Sequence, residues 1–223
     1  MTTSKTRQLQ KVTPKLNPRK DVLEAGQLSF WFSEVRNIKN PIIASFVQCL
    51  LLTGARKGEL LNLKWSDVDV NWNSLTIRDK ATTRGNKIGT RVIPLTPYVS
   101  QLIQQLPRFN QYVFSSPTSK SGQLVSINKS YEPALNAAGL KGLTLHGLRR
   151  SFSTLSEWVE TPSGITAQLM GHKPSAIAEK HYKQRPLDLL RVWHERIESW
   201  LLSQGGVTFQ KASRASALRL VIE

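Results

Sequence analysis

Apolar residues recur at helical spacing through most of the chain, and short breaks of Gly, Pro, Asn and Thr mark where one element gives way to the next. A helical pattern begins near Glu24 and takes in Leu28, Phe30, Trp31 and Val35. The next helix opens at Pro41, a favoured first helical position, behind Asn40 as cap. Its apolar run, 42–52, is wide enough for a central core helix, and Gly54 stops it. A short helix over 56–63 follows, packing through Leu60, Leu61, Leu63 and Trp65, then a turn over 66–69. Over 74–95 the period changes. Leu75 and Ile77, then Val92 and Ile93, flank a polar segment containing Gly85-Asn86 and Gly89, which predicts a β-hairpin with a long basic tip bearing Lys80, Arg84, Lys87 and Arg91. Helical spacing resumes over 97–106. Residues 112–116 read as a short extended piece ahead of a polar loop.

Beyond that loop, 126–138 is an amphipathic helix with Ile127, Tyr131, Leu135 and Ala138 as its stripe and Gly139 as its stop. Thr144 caps a helix running from Leu145 towards Glu157, and 163–170 is a short helix ended by Gly171. Pro174 restarts the chain towards Tyr182. A further amphipathic helix over 186–203 buries Leu190, Trp193, Ile197, Trp200 and Leu201. Gly205-Gly206 then release a tail that packs on its own domain, docks on a neighbour or is disordered. The pattern as a whole predicts a mainly α fold with a small antiparallel β-hairpin or sheet.

Composition narrows the partners. Lys and Arg number 31 against 15 Asp and Glu, a formal charge of +16 spread through nearly every segment, as expected for a protein that lies along a polyanion. Hydrophobic residues at 39% are enough for a real core, which argues against global disorder. The lone Cys49 excludes an intrachain disulfide and a Cys-rich zinc site, and its apolar surroundings read as core. No run approaches the roughly 20 apolar residues of a membrane span, and the first residues lack an apolar signal core. A soluble cytoplasmic protein is the expectation. Residues 1–20 carry Lys5, Arg7, Lys11, Lys15, Arg19 and Lys20 without an acidic residue, reading equally as a DNA-touching arm or a solvated tail.

The candidate chemistry concentrates in 146–182. That stretch holds three of the four histidines, the pair Arg149-Arg150 and, at its end, Tyr182 between His181 and Lys183. His146 and Arg149 are three apart, so a helix presents both on one face. Added to Arg56 and a hairpin lysine, the set is cationic and hydrogen-bonding, with one hydroxyl. Two arginines can hold the non-bridging oxygens of a phosphodiester and neutralise the charge of a pentavalent transition state. Histidines can donate a hydrogen bond or move a proton. A tyrosine becomes a nucleophile where positive charge favours its phenolate. Each residue also has a plainer reading: Arg56 as a surface partner of Glu59, His146 as a core hydrogen-bonder, Arg150 in place of Arg149 as the phosphate contact, His172 as a helix cap, Tyr182 as packing. All of them together suit one reaction.

The segments TGARKGELLNLKWSDVD, DKATTRGNKIGTRVIPL, LTLHGLRRSFST and LMGHKPSAIAEKHY resemble, in order, the boxes of the tyrosine recombinase (phage integrase) catalytic domain, from about residue 22 to 203. The resemblance implies that domain's fold. It makes Arg56 and Arg149 the phosphate-binding arginines, His146 the box-two histidine, His172 the box-three hydrogen-bond donor and Tyr182 the nucleophile. Lys80 matches the hairpin lysine that acts as general acid, with Lys87 as the alternative, and Glu59 the acidic residue that orients an active-site group. Arg84, Lys87, Arg150 and Lys173 are candidates for the DNA backbone. The implied reaction is site-specific recombination of double-stranded DNA through a 3′-phosphotyrosyl intermediate, needing no metal and no cofactor. It runs on a homotetramer, with accessory DNA-bending proteins admitted, in a bacterial or phage setting at the nucleoid.

Family members usually carry a helical core-binding domain ahead of the catalytic one, whereas only the basic arm, 1–21, precedes the match. The chain is therefore expected to be a fragment of a longer integrase or a reduced protein that clamps DNA poorly alone, with 204–223 as a tail exchanged between protomers. Two other readings compete: a DNA-binding remnant without catalysis, and topoisomerase IB-like cleavage and religation.

Overall fold

The computed structural model describes residues 21–78, 89–172 and 185–209. At its centre lies α2 (Pro41–Thr53), buried from Ile42 to Thr53 on every face, because its sequence is apolar all round rather than on one stripe. Asn40 starts it by accepting from the amides of Ile42 and Ile43 at 2.9 and 3.3 Å. Gly54 ends it at φ 61°, a left-handed conformation that a side chain resists. Around α2 pack α1 (Leu28–Arg36), α4 (Pro97–Gln104), α5 (Ile127–Ala137), α6 (Leu145–Leu155) and the long helix Leu187–Gln204. Cys49 is buried in α2, as expected.

Differences from the pattern are local. A short 3-10 turn, Ala25–Gln27, precedes α1. Within α1 the inward residues are Leu28, Trp31, Phe32 and Val35, while Phe30 is 63% exposed, since the 3.6-residue period sets it opposite the middle of that stripe. The short helix α3 is confined to Lys57–Leu61, with Arg56 as its cap. Ala138 is the C-cap of α5 rather than part of its buried stripe.

The hairpin forms with β2 (Ser74–Arg78) antiparallel to β3 (Thr90–Pro94), Thr76 facing Val92 and Ile77 facing Arg91. A two-residue strand β1 (Val68–Asp69), too short to leave a period in the sequence, completes a sheet of order β1-β2-β3. Val92 points out of the core, whereas Ile93 is fully buried, as strict alternation along a strand demands. The hairpin tip at 79–88 lies outside the described residues.

The long helix joins sheet to bundle. Its Glu198, buried, accepts from the Tyr98 and Val99 amides at 2.9 and 3.2 Å and from the Thr96 hydroxyl, so a carboxylate nearly a hundred residues away caps α4. The start of the tail packs on its own domain: Val207 is buried and Phe209 lies edge-on to Tyr98 at 5.2 Å.

Candidate nucleic-acid cleavage site

Three chain segments meet at Arg149. It projects from α6 with 4% of its surface exposed, and its Nη1 donates to the carbonyls of Gly54 and, at 2.9 Å, Met170. Those carbonyls end α2 and α7 (Ser163–Met170), where unpaired C=O groups carry partial negative charge that suits a guanidinium. Gly54 lies two residues before Arg56, and Met170 two before His172. A single buried side chain thus draws the Arg56 turn and the His172 turn to the helix that carries His146.

The local sequence explains how each turn is built. Thr144 caps α6 by accepting from the Gly147 amide at 2.9 Å. Phe152, fully buried one turn beyond Leu148, packs so closely on Gly54 that no Cβ would fit there. Gly171 closes α7 at φ 70°, and the His172 amide returns to the Ala167 carbonyl at 2.9 Å.

Glu59 organises the Arg56 side of the cluster. Its carboxylate is 3% exposed and accepts from the Arg56 amide at 2.8 Å, from Arg56 Nη1 at 2.6 Å and from Arg91 Nη2 at 2.7 Å. Burial alone would raise its pKa, but these hydrogen bonds and the Arg91 charge outweigh it and hold the group below the usual carboxylate range. Arg56 does pair with Glu59, yet its side chain stays 45% exposed. Among the described residues Arg56, Arg91, Arg149 and Arg150 outnumber the carboxylates of Asp21 and Glu59 beside them, so the described part of the cluster is cationic.

Both described histidines of the site respond to that surplus. Partial desolvation, then the charges of Arg150, Arg149 and Arg56, lower the pKa of His146, with Asp21 opposing. For His172 desolvation is followed by Arg149, Arg56 and Arg91, again downwards. Both shifts favour the neutral imidazole, which can donate from one nitrogen and accept at the other. Among the described residues no group of three or more His, Cys, Asp or Glu side chains is placed to hold a metal ion.

Of the residues singled out in the sequence, Arg56, Glu59, His146, Arg149 and His172 come together. Arg150 is next to them, but its Nη2 is engaged with the Asp21 carboxylate. Lys80, Arg84, Lys87, Lys173 and Tyr182 lie outside the described residues. Two participants escaped the pattern reading. Arg91, read as part of the hairpin's basic tip, instead faces inward, and alternation from Ile93 and pairing with Ile77 could have shown it. Asp21 left no local signal, because its partners lie more than a hundred residues away.

Comparison with known proteins gives the family and the fold. Residues 33–186 match the profile of the Phage integrase family. The prophage integrase IntF of Escherichia coli (strain K12) is 52% identical over 197 residues, a match covering 85% of this chain and 41% of that protein. The chain thus spans less than half the length of that relative. Among solved structures, the integrase of mycobacterium phage Brujita superposes with a TM-score of 0.61 at 20% identity, over 86% of this chain and 64% of that one. The catalytic core of lambda integrase does so at 0.51 and 18%, over 69% of this chain and 96% of the core. With its helical body, small antiparallel sheet and arginine-centred site, the chain has the fold of a tyrosine recombinase catalytic domain and belongs to the phage integrase family.

Proposed function

We propose that this chain is the strand-cleaving and rejoining unit of a site-specific DNA recombinase. The observation that carries the reading is the buried Arg149, which joins the Arg56 and His172 turns before any substrate arrives. A guanidinium held in place costs no reorganisation when charge develops on a phosphate. Arg149 is held beside Arg56 and His172 by the carbonyls that end α2 and α7, which is the arrangement such a charge-stabilising site needs.

In this reading Arg56 and Arg149 clamp the non-bridging oxygens of one phosphodiester, and His146 and His172, as neutral donors, add hydrogen bonds. The Tyr182 oxygen gives its proton to solvent water and attacks phosphorus as the P–O5′ bond breaks. The departing 5′ oxygen takes a proton from Lys80, or from Lys87 in its place. A 3′-phosphotyrosyl bond then holds the bond energy until a 5′ hydroxyl of a partner duplex attacks and releases the tyrosine. Glu59 orients Arg56, and Arg84, Lys87, Arg150 and Lys173 are assigned to the DNA backbone.

We assign residues 22–203 to this catalytic unit, 1–21 to a basic arm and 204–223 to a tail that starts against its own domain and is exchanged between protomers beyond Phe209. Double-stranded DNA is the substrate and a homotetramer the working form, with accessory DNA-bending proteins, at the bacterial nucleoid. The +16 charge supports the first of these. Solved relatives include a lambda integrase dimer bound to a core site and a tetramer bound to a Holliday junction. Among the described residues no helix is long and apolar enough to cross a membrane.

The test is a nicked suicide duplex carrying the crossover site. The wild-type chain should form a covalent protein–DNA adduct that Tyr182→Phe abolishes. No adduct on that duplex would favour the DNA-binding remnant, and an adduct that survives the Phe substitution would overturn the choice of nucleophile.

A further inference from the structure

The hairpin strand β3 delivers a side chain to the site that the reaction above does not use. Arg91 pairs across the sheet with the fully buried Ile77, so alternation turns it into the protein, and its side chain is 12% exposed. Its planar fork reaches two elements at once. Nη2 donates to Glu59 Oε2 at 2.7 Å and Nε donates to the Leu169 carbonyl at 3.1 Å, near the end of α7. Gly171 lies directly against the fork, where an added Cβ would stand 2.6 Å from Arg91 Nη1.

We propose that Arg91 is a positioning residue of the phosphate site, locking the Arg56–Glu59 pair to the helix end that presents His172 and fixing the base of the hairpin to both. The proposal rests on the recombinase reading for its effect on cleavage, but its structural half stands apart from it. Glu59 shares its charge between two guanidinium groups. Its Oε1 holds Arg56 Nη1, while Oε2 holds the Arg56 amide and Arg91. Among the described residues, only Arg56 would remain to neutralise the buried carboxylate without Arg91, and the carboxylate would draw that guanidinium away from a phosphate. A lysine could supply the charge, but its single ammonium cannot reproduce a planar fork between a carboxylate and a carbonyl.

The location also makes the link informative. The sheet pairs Thr90 with Arg78, and the hairpin lysine Lys80 follows Arg78 by two positions. The base of the hairpin is thereby held to the two turns that carry Arg56 and His172. The described charged groups acting on His172 are Arg149, Arg56 and Arg91, so removing Arg91 subtracts one cation from its surroundings.

The experiment compares wild type, Arg91→Ala and Arg91→Lys in two arms. In the first, NMR titration of DNA-free protein follows His172. Arg91→Ala should move its midpoint upward and shift the Gly171 and His172 amides, and Arg91→Lys should leave the midpoint near wild type. An unmoved His172 midpoint with unmoved amides in Arg91→Ala overturns the proposal. The second arm measures adduct formation on the suicide duplex at saturating protein. Misplacing the clamp should slow cleavage roughly 100-fold in Arg91→Ala with DNA binding retained, and Arg91→Lys should recover only part of it. A variant that melts earlier yet cleaves at the wild-type rate makes Arg91 a stability residue only, and full rescue by Lys makes it a simple charge; either overturns the locking role. Failure of the wild type itself to form an adduct would count against the recombinase reading alone, leaving the titration to decide on Arg91.

Discussion

The Asp21 carboxylate and the Arg150 guanidinium, 129 positions later, form an ion pair that joins the first described residue of the chain to the helix bearing His146. The same carboxylate accepts from the Thr144 hydroxyl at 2.6 Å and its amide at 3.3 Å, while the Leu23 amide donates to Ser151 Oγ at 2.8 Å. The segment entering the domain is therefore fastened along one side of α6. Burial works against ionisation of Asp21, but the Thr144 and Arg150 bonds prevail and its pKa is lowered.

Asp21→Asn should accordingly destabilise the fold by about 1–3 kcal/mol at neutral pH, the range for removing one member of a hydrogen-bonded pair. A depressed carboxyl pKa stabilises fully above about pH 5 and loses that contribution as pH falls through the carboxylate range. Urea denaturation of wild type and variant should therefore converge in acid. Because Asp21 opposes the arginines around His146, the variant should also titrate His146 at lower pH, which NMR would read.

Two glycines separate propensity from packing. In a helix Ala is better than Gly by roughly 1 kcal/mol. Gly58→Ala in α3 should gain most of that, since an added Cβ there meets nothing within 4 Å. Gly147→Ala should instead lose about 1–3 kcal/mol, the usual cost of overpacking, because its Cβ would stand 2.6 Å from the Asp21 carbonyl oxygen. Thermal unfolding of the pair with opposite signs checks the claim; two gains would show that the Asp21 segment yields.

His194 makes a prediction about acid. It is fully buried between α2 and the core, with Nε2 at 2.9 Å from the Leu52 carbonyl and its ring edge-on to Phe152 at 5.9 Å. Burial pulls its pKa from 6.5 down to about 4. A depressed histidine pKa means the unfolded chain binds the proton first, so stability is full above about pH 6.5 and declines as pH falls towards 4. The whole difference is worth about 3 kcal/mol. Glu198, with its pKa raised by burial, works in the opposite direction at the acid end. The stability of wild type relative to His194→Gln isolates the histidine: it should fall across that window, and parallel curves would refute it.

At the site, Arg56→Ala and Arg149→Ala should slow adduct formation by roughly 100- to 1000-fold, the scale for losing one preorganised donor to a developing anion. Binding to the crossover duplex should fall far less. Arg149→Lys should fare little better than Ala, because Nη1 alone is held by the Gly54 and Met170 carbonyls and a single ammonium in its place has no second nitrogen to offer a phosphate. Equal losses in cleavage and binding would reduce both arginines to backbone contacts.

Much of the scaffold was legible from local chemistry. Asn40 with Pro41, Thr144, and the stops at Gly54, Gly139 and Gly171 mark helix ends because capping is a contact between near neighbours. The apolar run of α2 announced a helix buried on all sides. Phe30 and Val92 were less readable, since a hydrophobic residue beside a buried one carries no mark of which face it takes. β1 is too short for a period at all.

By itself the sequence determined the order of the elements, the cationic character of the site and the residue types available to it, since these depend on spacing along the chain. Only the tertiary structure decided that Arg149 bridges two helix ends, that Glu59 is shared by Arg56 and Arg91, and that Asp21 occupies Arg150. Those assignments are settled by which carbonyls and carboxylates are left unpaired after the helices pack. A guanidinium takes the partner that packing brings within reach, and no local pattern encodes a partner about twenty to a hundred and thirty residues away.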